Sequence, residues 1–325
     1  MKNILIIGGG GYIGTVASKY FIDKGHKVKV LDNFIYKNSY ALKDLLTSNN
    51  FSLITGDLCS NEIYENLMID ITDVIVLGGL VGDPITKKYP ELHNKINVEG
   101  IKNCIRMLKK FTFNKLIFVS TCSNYGLISD DEIADENFPL NPLSLYAKAK
   151  VEIEKYILSL KSEKINFDPV ILRFATAFGA SPRMRFDLTI NEFAFELIRG
   201  NELVVYDPDT WRPYCHVDDF SRLMLRVIKH EKNSLKFEVF NAGSDENNFT
   251  KRQIADLLAK NINGSKVKFK EGDVDPRNYK VNFKKLSNIN FQIKHNVEDE
   301  IGKLIKFKKD NKFKEKKLYG NYEIE

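Results

Sequence analysis

Residues 4 to 32, ILIIGGGGYIGTVASKYFIDKGHKVKVLD, carry one uninterrupted pattern: an apolar run, four consecutive glycines, an amphipathic stretch, and a second apolar run closing on Asp32. A continuous apolar run such as Ile4 to Ile7 is expected of a parallel strand covered on both faces. Glycines placed directly after it let backbone approach a ligand where any Cβ would intrude. The following stretch predicts a helix over 12–24, whose unpaired N–H groups and positive dipole end face back toward the turn. Gly14 leaves room for that helix to pack on the strand. The group such a turn suits is a pyrophosphate, so the unit reads as a dinucleotide site with contacts from Gly8, Gly11, Tyr12, Ile13 and Gly14. Two fingerprints fit, Gly9-x-Gly11-x-x-Gly14 and Gly8-x-x-Gly11-x-x-Gly14, and the four-glycine run does not separate them. The second strand, predicted over 27–31, delivers Asp32 about 20 residues beyond the loop, where a carboxylate accepts from the adenosine ribose hydroxyls. An acid there repels a 2′-phosphate, so the expected cofactor is NAD and not NADP.

The rest of the chain repeats the alternation. Strand-like runs fall at about 4–7, 27–31, 51–54, 73–77, 115–119 and 168–172, with helical patterns near 12–24, 61–69, 94–110 and 144–160. This order predicts an α/β fold of the Rossmann type, a doubly wound and mostly parallel sheet. After Arg173 two proline-containing segments, SPRMR and YDPDTWRP, loosen the pattern, and helices near 187–199 and 217–229 alternate with short strands. Residues 1–174 are therefore expected to form the NAD-binding domain and 175–325 mainly a smaller substrate-binding lobe with a basic tail. The run 237–240 is expected to return to the main sheet.

Bulk composition excludes several classes. The 49 basic and 43 acidic residues leave a net charge of +6. Much of that surplus lies in the last twenty residues and their approach, and acids punctuate the remainder, which argues against nucleic acid as a partner. Cys59, Cys104, Cys122 and Cys215 are far apart in sequence, and the five histidines do not cluster, so no metal set is expected and a reducing compartment is. The apolar run Val74 to Val81 is far below membrane-spanning length. A soluble, cytoplasmic protein is the expectation.

Tyr146 and Lys150 are four residues apart and share a face of the helix expected there. An adjacent ammonium and an oxidised nicotinamide both favour the phenolate, which makes Tyr146 a candidate base. The strand 116–120 ends in Ser120-Thr121, and strand ends of open α/β sheets face the ligand crevice. With these residues the chain resembles an extended short-chain dehydrogenase/reductase of the nucleotide-sugar epimerase/dehydratase superfamily. The matching pieces are the glycine run, Asp32-Asn33, Gly56-Asp57-Leu58, Asn97-Val98-Glu99-Gly100, Ser120-Thr121 with Tyr125-Gly126, Tyr146-x-x-x-Lys150, Arg173-Phe174 and Arg212-x-x-x-His216-Val217-x-Asp219. They span nearly the whole chain.

The resemblance implies that Thr121 hydrogen-bonds the substrate hydroxyl, Tyr146 removes its proton, Lys150 lowers the Tyr pKa and holds the nicotinamide ribose, and hydride passes to NAD. It implies further cofactor contacts from Asn33, from Asp57 and Leu58 beside adenine, and from Leu77, Gly78 and Gly79, where the family usually has Leu-Ala-Ala. Asn97 is expected either to brace the active-site helix or a bound water, or to cap a helix; Asp219 is expected as an N-cap. Arg183, Arg185, Arg212 and Arg277 are expected on the substrate side, where guanidinium forks suit a diphosphate, and Arg212 matches the family's phosphate-binding position. Leu203 to Tyr206 resembles the segment that lines the nucleotide base. Dehydratases of the family carry Asp-Glu after the Thr; here Cys122-Ser123 stand there, so dehydration is not expected. What remains is chemistry at C4 of a nucleoside-diphosphate sugar, foremost 4-epimerisation. Net 4-dehydrogenation or ketoreduction stays open, since the stretch from Ala177 to Arg185 is similar to a branch that includes GDP-heptose dehydrogenases, as does a non-catalytic NAD-binding regulator. Homodimerisation through the helices near 94–110 and 144–160 is a family expectation.

Overall fold

The computed structural model describes residues 1–231, 233–272, 277–311, 313 and 315–324. Seven parallel strands form the central sheet: β1 Asn3–Ile7, β2 Lys27–Asp32, β3 Phe51–Thr55, β4 Asp73–Val76, β5 Lys115–Thr121, β6 Asp168–Phe174 and, far along the chain, Glu238–Ala242 at one edge. Their order across the sheet is the edge strand, then β6, β5, β4, β1, β2, β3. The chain thus winds outward from β1 in one direction and from β4 in the other, and the crevice between β1 and β4 is the switch point where ligands bind in such sheets. The edge strand pairs with β6 from Glu238↔Val170 to Ala242↔Phe174, so the apolar run near 237–240 lies in the main sheet.

Both faces of the sheet are covered, which is why the inner strands read as unbroken apolar runs. Ile4, Ile6, Val28, Val30, Ile117 and Val119 point to one face, under the helices Tyr12–Asp23 and Val217–Lys229. Leu5, Ile7, Leu31, Val74, Leu116 and Phe118 point to the other, under Ile101–Leu108 and Leu145–Ser159. Each such side chain contributes about 1.5–3 kcal/mol of burial. The first apolar cluster continues through Phe186, Phe195, Leu258 and Ile301, so residues beyond 175 share a core with the sheet.

Two smaller sheets follow β6. Strand Thr176–Phe178 pairs in parallel with Trp211–His216, which also pairs antiparallel with Asn248–Thr250. Glu202–Tyr206 pairs in parallel with Lys266–Lys270. The helix expected over 94–110 is divided: Asn94–Gly100 is a π-helix and only Ile101–Leu108 is α-helical. Asn97 lies in that wide turn and its side chain bonds Leu80; π-bulges are frequent at functional sites. No helix among the described residues is long and apolar enough to cross a membrane.

Candidate active site

The carboxyl ends of β1, β4 and β5 open onto a cavity of about 850 Å³. Its floor is the glycine turn. Gly8 has φ +82°, and a Cβ on it would lie 2.4 Å from Gly78 Cα, so the turn after β1 and the tail of β4 meet backbone to backbone. A Cβ on Gly14 would lie 2.6 Å from Gly9 Cα: the residue makes room for the helix Tyr12–Asp23 against the turn itself, more than against the strand. Gly8, Gly11 and Gly14 line the cavity together with Tyr12 and Ile13. Gly9 is buried against Val30, and Gly10 is spent holding Asp32 and Asn38. The structure therefore selects the Gly8-x-x-Gly11-x-x-Gly14 reading.

Asp32 lines the cavity at the end of β2 and accepts from the backbone N–H of Gly10 and of Phe34, both at 2.8 Å. Burial pushes its carboxyl up, against those two donors and Arg183. Each oxygen retains capacity for a further donor, as a ribose diol would require. Asn33, Asp57, Leu58, Leu77, Gly78 and Gly79 all line the cavity. An elongated trough with a carboxylate at one end and a glycine cradle under a helix N-terminus fits a dinucleotide.

The catalytic candidates converge on the same space. Thr121, the last residue of β5, lines it, and its Oγ1 accepts from Ser123 N at 3.1 Å while its proton remains available for donation. Ser144 caps the helix Leu145–Ser159 by accepting from Ala147 N at 3.2 Å, which starts the helix one residue before Tyr146. Tyr146, Lys150 and Glu154 then stand on successive turns of one face. Lys150 Nζ lies 5.7 Å from the centre of the Tyr146 ring and donates to Val119 O at 2.8 Å. Burial pushes the ammonium down to about 8, with Glu154 opposing. The phenol of Tyr146 is pushed up by burial, pulled down by Arg185, and pushed further by Asp83 and Tyr279.

Glu154 had no place in the sequence argument, although its i+8 spacing from Tyr146 was visible. It is buried and accepts from Ser120 Oγ, from Asn124 Nδ2 at 2.8 Å and from Arg173 Nη2 at 2.7 Å. Arg173 Nη1 donates to Tyr125 Oη at 3.0 Å, which donates to Asn241 Oδ1 at 2.7 Å. This network ties the active-site helix to β5, β6 and the edge strand behind Thr121.

Several expected residues stand elsewhere than expected. Asn97 does not line the cavity and caps no helix, but its Nδ2 meets His93 Nδ1 at 2.8 Å and His93 Nε2 meets Leu145 O at 3.1 Å, so it reaches the start of the active-site helix through His93. It bonds both the N–H and the carbonyl of Leu80 at 2.7 Å and braces the loop after β4 from behind. Asp219 is no N-cap, since His216 fills that role with Asp218 N. Asp219 instead accepts from Lys294 N and His295 N and from Arg222. Leu203 to Tyr206 lie outside the cavity lining and are taken up by pairing with Lys266–Lys270. All four arginines line the cavity, and each also has partners within the protein. Arg183 donates to Met184 O, Gly320 O and Asn321 Oδ1 and lies over the Tyr36 ring, toward Asp32. Arg185 is paired with Asp187. Arg212 lies over Tyr279, and Arg277 meets Asp83 at 2.6 Å. Cys122 is buried with its Sγ donating to Arg173 O, and burial pushes the thiol far up; Ser123 Oγ meets Tyr279 Oη at 3.1 Å.

One wall comes from the last described segment. Asn321, buried, lines the cavity and donates to Val81 O at 2.8 Å while accepting from Arg183. Tyr319 O accepts from Phe186 N at 2.6 Å.

A glycine cradle, a ribose-poised acid and a Thr/Tyr/Lys set at the switch point define a dinucleotide-dependent redox enzyme. The model of the NAD dependent epimerase/dehydratase family matches residues 4–243, and the chain belongs to that family. Its fold, its cofactor NAD and its enzymatic character are those of the extended short-chain dehydrogenase/reductases. The UDP-glucose 4-epimerase of Bacillus subtilis is 25% identical over 263 residues, 74% of this chain and 77% of that protein. The UDP-glucuronate 4-epimerase of Thermodesulfobacterium geofontis is 24% identical over 324 residues, covering 96% of this chain and 97% of its own. The crystal structure of dTDP-glucose 4,6-dehydratase from Bacillus anthracis in complex with NAD superposes with a TM-score of 0.85 at 21% identity, over 98% of this chain and all of that one.

Proposed function

We propose that this protein is a 4-epimerase of nucleoside-diphosphate sugars. The observation that carries the reading is the pairing of an intact Thr121, Tyr146 and Lys150 set with the neutral pair Cys122-Ser123 beyond Thr121. A dehydratase needs an acid and a base there to expel a neighbouring hydroxyl; a buried thiol and a serine bonded to Tyr279 supply neither. In this reading Thr121 holds the C4 oxygen and Tyr146 takes its proton, then returns it once the keto sugar has presented its other face. NAD, when bound, supplies reversible hydride acceptance. Gly8, Gly11, Gly14 and Asp32 hold it, and Lys150 reaches its ribose while stabilising the phenolate. Burial raises the phenol and Arg185 lowers it, and in this reading the positive charge of Lys150 adds to the stabilisation of the phenolate. The diphosphate is met by Arg212 in the part of the chain beyond 175, which acts as the substrate lobe, while Arg277, held by Asp83, stands beside the sugar.

The two relatives act as 4-epimerases on UDP-sugars by name, and they support the reaction while leaving the nucleotide open. The test is incubation with a panel of nucleotide sugars, products followed by NMR and cofactor by absorbance. The 4-epimer without net NADH is expected. Stoichiometric NADH with a keto sugar would replace the proposal with a dehydrogenase, and no turnover on any nucleotide sugar would replace it with a binding role.

A further inference from the structure

The catalytic end of the cavity is built from two closed ion pairs. Arg185 holds Asp187 through Nε and Nη2, with both side chains almost wholly buried. Arg277 Nη1 lies 2.6 Å from Asp83 Oδ2, with about a quarter of each side chain exposed. These pairs reach the catalytic phenol: Arg185 draws the Tyr146 proton affinity down and Asp83 raises it. Both guanidiniums at this end are therefore already matched by carboxylates. A second observation is independent of the first. Asp83 lines the cavity, yet its Oδ1 is buried with no hydrogen-bond donor among the described residues. A buried carboxylate oxygen left unmatched is costly, and a donor from the cavity side would relieve it.

We infer, resting on the nucleotide-sugar reading above, that the accepted sugar is a neutral one whose ring hydroxyl donates to Asp83 Oδ1, and that Asp83 excludes sugars bearing a carboxylate. The carbon to be oxidised must lie against Thr121 and Tyr146, and a hexose is small enough that the substituents flanking that carbon fall among the same two ion pairs. A hydroxyl brings a donor and no charge. A uronate brings a third anion to Asp83 and Asp187, opposite two cations that are already engaged. Lys87 lines the cavity one helical turn beyond Asp83, but it is exposed and screened by water. Of the cavity-lining cations it is the one on the same helix as Asp83, and so the first candidate to receive a uronate if one bound. The inference separates the two activities that the relatives' names leave side by side, UDP-glucose and UDP-glucuronate epimerisation.

The test is calorimetric titration of the NAD-loaded protein with UDP-glucose and UDP-glucuronate, and with glucose 1-phosphate and glucuronate 1-phosphate as probes without a base. The glucose member of each pair is expected to bind at least tenfold more tightly. Asp83→Asn is expected to narrow that ratio by tenfold or more while NAD affinity stays unchanged, which shows the protein still folded. Equal or tighter binding of the glucuronate compounds to the wild type overturns the inference, as does a ratio that Asp83→Asn leaves unmoved. Glucuronate binding that disappears in Lys87→Ala overturns it too and names the cation responsible. If UDP and all four sugar compounds fail to bind, the nucleotide-sugar reading itself falls and takes the inference with it.

Discussion

Tyr146 and Lys150 share one cost, burial, which favours the neutral form of each before any ligand arrives. Burial holds the phenol protonated and the same burial brings the ammonium down to about 8. The cation that helps the phenol ionise is thus itself lost when the pH rises through that value. In the proposed reaction kcat/KM is expected to decline above about pH 8, and Lys150→Arg is expected to move that limb upward; a pH profile of both proteins checks it. Tyr146→Phe removes the proton acceptor without emptying the cofactor trough. It is expected to lower kcat by about 10²- to 10⁴-fold while NAD affinity, read by calorimetry, is retained.

Among the elements, the helix Val297–Asp310 carries an unusual burden. Its Lys308 is buried, its Nζ has no hydrogen-bond partner among the described residues, and the Phe186 and Phe195 rings lie 4.4 and 4.1 Å away. Burial pushes this amine from its ordinary 10.5 down to about 6. The unfolded chain therefore binds a proton between those pH values that the native chain does not, so native stability rises with pH across the window. Below about 6 the full penalty of the buried charge is present. Lys308→Met, similar in volume, is expected to stabilise by about 1–3 kcal/mol, with a larger gain in melting temperature at pH 6 than at pH 10. A thermal melt at both values decides it. How legible such elements were in sequence depended on range. The turn Gly8 to Gly14, the strand ending on Asp32 and the Tyr146/Lys150 face were readable because their determinants are local: period, spacing and capping. Asp83 with Arg277, Glu154 with Arg173, and Asn321 were not, because each acquires its role from a partner that only the tertiary fold supplies. The Leu80 contacts of Asn97 were not legible for the same reason, since nothing local shows that its amide serves that loop.

For the whole molecule, the outer faces of Ile101–Leu108 and Leu145–Ser159 bear on self-association. They display Arg106, Lys148 and Lys155 and a Lys102–Glu152 ion pair, with Leu145 the exposed large apolar side chain at the start of the second helix. A homodimer joined there would be held by screened charges, so it is expected to dissociate between low and 0.5 M salt; sedimentation velocity at both checks this. The wall contributed by Asn321 bears on a different matter, the order of events during synthesis. Asn321 donates across 240 positions of chain to Val81, and Arg183 reaches across 137 to Gly320. At about 5–20 residues per second, the glycine turn leaves the ribosome roughly 15–60 s before Asn321, which lines the same cavity. A nascent chain therefore presents the cradle well before the wall that Asn321 contributes exists.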